Sequence, residues 1–243
     1  MKFVADLHIH TISSGHAYST VMENAQAAAD KGLEMIAITD HGPSMPGAPH
    51  AYHFGNLRVI PNELFGVRIL KGVEANIIDR VGSLDLDDAR LANLDIVLAG
   101  LHNVCSPTGS IAENTEMMIN AMKNPWVDVI VHPGNPQYLI DAEAVVQAAV
   151  QYDVAVELNN SSLKLSRAGS RPYCENILCL AKKVGAKIIV GTDSHFSLAI
   201  GDFNPAIAIL EKYDIDPSTV LNTSIISIKN HLERRSNRCG NKD

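Results

Sequence analysis

His8-Ile9-His10 sets two imidazoles at alternate positions of a short apolar run, so in an extended strand both project from one face and can share one cation. Alone, that pair is a weak signal. Further along, similar runs end in Thr39-Asp40-His41, Val73-Glu74-Ala75, Leu101-His102, Val131-His132-Pro133 and Thr192-Asp193-Ser194-His195. A single histidine or aspartate after a strand is ordinarily a turn former or a hydrogen-bonded buried group. Many such ends brought together would form a desolvated, mutually repelling cluster unless a metal occupied it. With His16 included, nine donors stand out: His8, His10, His16, His41, Glu74, His102, His132, Asp193 and His195. One zinc ion uses three or four protein ligands, so this donor set divides naturally among about three ions. Imidazole-rich mixed ligation suits zinc, manganese or iron and disfavours magnesium or calcium.

These donors need a scaffold that brings strand ends together. Short β-branched runs at Phe3–Leu7, Met35–Thr39, Arg68–Val73, Ile96–Leu101, Val127–Val131, Ala155–Leu158 and Lys187–Gly191 predict seven strands. Helical periodicity is expected near Thr20–Gly32, Ile111–Lys123, Asp141–Tyr152 and Tyr173–Val184, with weaker signals at Pro205–Tyr213 and Ile225–Arg234. Successive strand ends fall at positions 8, 40, 74, 102, 132, 158 and 193, one βα unit apart each time. Seven such units predict an α/β fold, a distorted TIM-like (βα)7 barrel with the metal site at the C-terminal ends of the strands. A doubly wound open sheet is the alternative. No linker or low-complexity tract interrupts the pattern, so residues 1–243 are read as a single barrel domain.

Composition narrows the function classes. The 243 residues are 46% hydrophobic and 19% charged, enough for a sizeable core and incompatible with a disordered chain. Twenty Lys+Arg against 27 Asp+Glu give a net charge of −7, with no long basic run to bind duplex nucleic acid or an anionic membrane. No apolar stretch spans a bilayer and no export signal opens the chain. Cys105, Cys174, Cys179 and Cys239 lack paired zinc spacing and are read as reduced thiols in a cytoplasmic protein.

The ordered set Asp6-x-His8-x-His10, Thr39-Asp40-His41, Glu74, His102, His132-Pro133 and Gly191-Thr192-Asp193-Ser194-His195 resembles the polymerase and histidinol phosphatase (PHP) family. Length and ligand set are most similar to its YcdX-type phosphatases. The resemblance runs from residue 3 to about residue 200 and implies a distorted barrel with a trinuclear centre, often zinc, that hydrolyses phosphate esters. It implies one ion on His8, His10, Glu74 and Asp193, a second on His16, His41 and His195, and a third on His102 and His132 with Glu74 bridging. It also points to a homo-oligomer such as a trimer.

Such a cluster generates a bridging hydroxide at neutral pH and stabilises charge on phosphoryl oxygens, giving Glu74, Asp193 and His195 catalytic roles through that hydroxide. The expected partner is a small phosphorylated metabolite. Asp6 and Asp40 are placed to orient histidine ligands, and the polar segment from Asn159 through Lys164 and Arg167 to Arg171 to contact substrate, Arg171 foremost. Residues 42–55, rich in proline, could fold over the site as a lid. His50, His53 and His231 end no expected strand and are read as surface groups. Three other readings compete. A phosphodiesterase or nuclease-type phosphoesterase would use the same centre. An amidohydrolase-like C–N hydrolase also begins with His-x-His but has no use for His16, His41 and Glu74 together. A non-catalytic metal-binding module fits the complete ligand set least.

Overall fold

The computed structural model describes residues 1–164 and 166–234. Its strands are β1 (Ala5–Ile9), β2 (Met35–Ile38), β3 (Glu63–Leu64), β4 (Val67–Asn76), β5 (Ile96–Gly100), β6 (Val129–Ile130), β7 (Ala155–Asn159) and β8 (Ile188–Gly191). Seven pair in parallel in the order β1-β2-β4-β5-β6-β7-β8, while β3 is a two-residue antiparallel partner of β4 that the sequence pattern did not reveal. The ring is drawn shut where Asp193 N–H donates to the His8 carbonyl and His10 N–H donates to that of Ser194, each at 2.9 Å. The expected seven-stranded TIM-like barrel is therefore the fold.

Around it lie α1 (Val21–Asp30), α2 (Tyr52–Asn56), α3 (Asp88–Leu91), α4 (Ile111–Met122), α5 (Ala142–Gln151), α6 (Asn160–Lys164), α7 (Arg171–Val184), α8 (Asn204–Lys212) and α9 (Ile225–Glu233). Local sequence starts and stops these helices. Thr20 with Glu23 and Ser110 with Glu113 form capping boxes on α1 and α4, and α7 ends at Gly185 in the left-handed region. Among the described residues, no helix is long and apolar enough to cross a membrane.

Strand alternation divides the core into two layers. Leu7, Met35, Leu70, Leu98, Val129 and Ile189 fill the barrel, with Ile228 of α9 packed into the same cluster. Ile36, Ile69, Val73 and Val97 face outward against the helices. One irregularity matters for the site. Between Asp6 and Ile9, β1 advances three residues while β2 advances two, from Ile36 to Ile38. This bulge carries Ile9 into the outer layer with Ile36 and Ile38, and leaves His8 and His10 facing the barrel mouth.

Candidate metal centre

Glu74, fully buried near the end of β4, is the hub. Its Oε2 faces His41 Nδ1 at 2.8 Å and the Nε2 atoms of His8 and His10 at 3.3 Å each. Its Oε1 faces His132 Nε2 at 2.8 Å and His102 Nε2 at 3.0 Å. Asp193 completes the first group, with Oδ1 3.2 Å from His10 Nε2 and 3.6 Å from His8 Nε2. His16 and His195 close the outer side, their ring centroids 4.8 Å apart and 5.0 and 4.4 Å from those of His41 and His10 respectively. All nine expected donors thus converge on one end of the barrel.

The arrangement fits divalent cations. His8 Nε2, His10 Nε2, His41 Nδ1 and Glu74 Oε2 are buried without a hydrogen-bond partner, which is costly for polar atoms unless a cation takes their lone pairs. Three triads have ligand atoms mutually within 4.8 Å: His8, His10 and Asp193; His10, His41 and His195; His41, Glu74 and His102. Imidazole and carboxylate donors of this kind suit zinc or a similar transition metal.

Electrostatics prepare the donors. Burial opposes ionisation of Glu74 and Asp193, yet facing histidines, joined by Arg167 for Asp193, hold both carboxyls well below the usual range. Burial pushes His10 and His132 down to about 3, His41 adding to the effect on His10 and Arg167 to that on His132. Those rings offer lone pairs at neutral pH. His8 is the exception, because Glu157, Glu74 and Asp193 outweigh its burial and raise its imidazole well above the ordinary value.

Glu157 was not singled out in the sequence. Its Oε1 lies 2.7 Å from His8 Nδ1, and its Oε2 accepts from the His132 backbone N–H at 2.8 Å and from Asn159 Nδ2 at 3.1 Å. One carboxylate therefore orients two of the candidate donors, favouring the His8 tautomer whose Nε2 lone pair points at the cluster. Gly191 makes room for it, since a Cβ there would fall 2.2 Å from Glu157 Oε1 and 2.6 Å from His8 Cβ. The signal was present: Glu157 shares the inward face of β7 with Ala155, whereas the counted strand end, Leu158, packs in the outer layer.

The supporting aspartates divide. Asp40 accepts from Thr11 N–H at 2.7 Å and from the Ser14 hydroxyl at 2.7 Å, and Ser14 Oγ lies 3.0 Å from His10 Nδ1, so Asp40 braces His10 through Ser14. Asp6 does not reach a histidine ring. The bulge puts it on the opposite face from His8, where it accepts from the Thr192 hydroxyl at 2.6 Å and from the N–H groups of Thr192 and Gly201. Burial, only partly offset by these bonds, pushes its carboxyl up to about 6.

Arg167 Nη1 lies 3.0 Å from Asp193 Oδ2, while Arg171 is 53% exposed with Nη1 3.8 Å from Glu175 Oε1. His132, Arg167 and Asp193 are three of the six described non-glycine residues with positive φ, a strain that clusters at functional sites. The 42–55 segment lies against the His16 loop, where a Cβ on Gly15 would fall 2.3 Å from the Gly47 carbonyl oxygen. His50 is exposed, and His53 is half-buried with Nε2 3.7 Å from Asp40 Oδ2. His231 is not a surface group: it is buried, with Nε2 3.0 Å from the Asp128 carbonyl oxygen, because α9 packs into the barrel. Cys239 lies outside the described residues.

The model of the PHP domain family matches residues 6–214. A "probable phosphatase" of Thermoanaerobacter sp. (strain X514) is 51% identical, with full coverage of both chains. One from Caldanaerobacter subterraneus subsp. tengcongensis is 50% identical over 99% of this chain and 95% of its own. Among solved structures, histidinol phosphate phosphatase from Lactococcus lactis subsp. lactis, complexed with zinc, L-histidinol and phosphate, superposes with a TM-score of 0.62 at 16% identity, covering 87% of this chain and 94% of that one.

Proposed function

This chain belongs to the PHP domain family, and from that premise we propose that it is a metal-dependent phosphatase hydrolysing a small phosphomonoester. The observation that carries the reading is Glu74, whose two oxygens face two separate sets of imidazoles. A carboxylate so placed is suited to bridge ions. His8, His10, Glu74 and Asp193 would hold one divalent ion, His16, His41 and His195 a second, and His102, His132 and Glu74 a third, with zinc the first choice and manganese or iron alternatives. When bound, such ions supply Lewis acidity toward phosphoryl oxygens and lower the pKa of water.

The chain's own residues do the rest. Glu74 and Asp193 stay ionised and balance the cations, Glu157 and Asp40 hold His8 and His10 in orientation, and His195, half-buried, borders the solvent side. Arg167, beside Asp193, is the residue we assign to a phosphoryl oxygen, ahead of Arg171. A cytoplasmic homo-oligomer, such as a trimer, acting on a phosphorylated metabolite fits the acidic chain. The relatives' names support the reaction class.

The test is metal analysis of purified protein together with turnover of an aryl phosphate before and after chelation. About three ions per chain and activity abolished by chelator are expected. At most one ion would refute the trinuclear centre; a fully metallated protein inactive on phosphomonoesters would refute the reaction class. A screen of metabolite phosphates at fixed zinc and manganese then identifies the substrate.

A further inference from the structure

Lys71 breaks the pattern of its strand. It sits on the outward face of β4 in the row Val67, Ile69, Val73 and Ala75, where every neighbour packs against the helical layer, and only 9% of it is exposed. Its ammonium bonds the Asn62 side-chain oxygen and, among the described residues, forms no ion pair. An ammonium with one neutral acceptor in this row is poorly compensated, and an apolar side chain would suit the row better.

Lys71 opens onto a cavity of about 460 Å³ that Arg58, Asn62, Arg90, Asn93 and Asp95 also line, within the size range of small-molecule sites. Arg90 is occupied by Asp87, whereas Arg58 has no carboxylate partner among the described residues. Asp95, the carboxylate in this lining, already accepts the Lys71 backbone N–H through Oδ2 at 2.9 Å. Lys71 and Arg58 thus set two cations against the one carboxylate of the lining and, with the Asn62 amide nitrogen, make a donor set for a tetrahedral oxyanion, while the Asn93 amide is already bonded to the Ala89 carbonyl oxygen at 2.7 Å. The cavity is distinct from the metal centre, since Lys71 precedes Glu74 by three residues, about 10 Å along the strand, and faces the opposite side.

We propose that the barrel flank beside α2 and α3 is a second binding site, for the phosphoryl group of a small ligand, with Lys71 and Arg58 as its cationic contacts. Lys71→Met keeps side-chain length and restores the apolar row. In metal-loaded protein without added anion it should raise the thermal midpoint by about 2–4 °C, the reverse of what loss of a structural contact would do. Orthophosphate at millimolar concentration should stabilise wild type more than Lys71→Met or Arg58→Gln, the gain common to all three belonging to the metal centre. Tungstate soaked into crystals should give an anomalous peak beside Lys71 Nζ that is absent from Lys71→Met, while any peak at the metal centre persists in both. Phenylphosphonate, which has no ester bond to hydrolyse, stabilising more than orthophosphate would identify an organic ligand, and the reverse order free phosphate. Equal anion shifts in all three proteins with no tungstate in the cavity would overturn the proposal. So would a Lys71→Met protein less stable than wild type with an undiminished phosphate shift.

Discussion

Replacing Glu157 by glutamine removes one charge while keeping shape, and the structure indicates what that charge does. Oε1 holds His8 Nδ1 at 2.7 Å and Oε2 holds the His132 backbone at 2.8 Å, so two of the proposed metal donors lose a charged acceptor at once. Outer-shell carboxylates of this kind are worth about 10–100-fold in metal affinity, or about 1.4–2.7 kcal/mol. A second effect has a definite sign. Glu157 heads the groups that raise His8 well above its ordinary value against its burial, so metal-free wild type carries a proton on His8 at neutral pH. That pairing stabilises the metal-free fold below the ordinary histidine value and is lost as pH rises through the raised one. A metal taking His8 Nε2 must displace the proton, so wild-type affinity should climb about tenfold per pH unit from this step alone. Calorimetric zinc titration against a competing chelator, in two buffers of different ionisation enthalpy, reads both quantities. Glu157→Gln should bind more weakly and release fewer protons. Unchanged affinity with unchanged proton release would refute the role given to Glu157.

Three other outcomes follow from the same geometry. Glu74→Ala removes the acceptor shared by five histidines, so metal content should fall by at least one ion per chain and turnover by about 10³-fold or more; three retained ions, counted by mass spectrometry of the intact protein, would refute the bridge. Arg167→Gln removes a charged contact beside Asp193 and should raise KM roughly 10–100-fold, whereas Arg171→Ala should change it by less than about twofold; steady-state kinetics giving the reverse order would reassign the phosphate contact. Cys174, whose thiol burial pushes up to about 12, should hold only on the order of 10⁻⁴ thiolate at pH 8 and resist iodoacetamide, while exposed Cys179 reacts first, as peptide mapping would show.

The barrel was legible because its strands are buried on both faces and read as short continuous apolar runs. The donors were legible because each polar residue ending such a run must project from the same end of a parallel barrel. β3 was not, since two exposed or half-buried residues at an edge carry no periodic signal. Arg167 and Arg171 are chemically equal in sequence. Their ranking depends on a positive φ at Arg167 that turns its side chain toward Asp193, while Arg171 opens α7 beside Glu175. His231 was read as a surface group because it ends no strand, yet Ile228 and Leu232 carry α9 onto the barrel cluster and His231 is buried with them.

The remaining discrepancies share one physical origin. Strict alternation along β1 would put Asp6, His8 and His10 on one face, but the bulge inserts a residue after Asp6 and sends it to the other side. Alternation from Val129 and Val131 would likewise turn His132 outward, and there the chain enters positive φ. Asp193 adopts the same conformation just after β8. An ideal barrel presents its inward residues in layers and cannot aim this many donors at one small volume. Bulge and left-handed turns break the period at donor-bearing strand ends, at a local cost of about 1–3 kcal/mol for each strained residue. At these strand ends, the failure of sequence periodicity marks residues that make the barrel mouth a donor-lined cup.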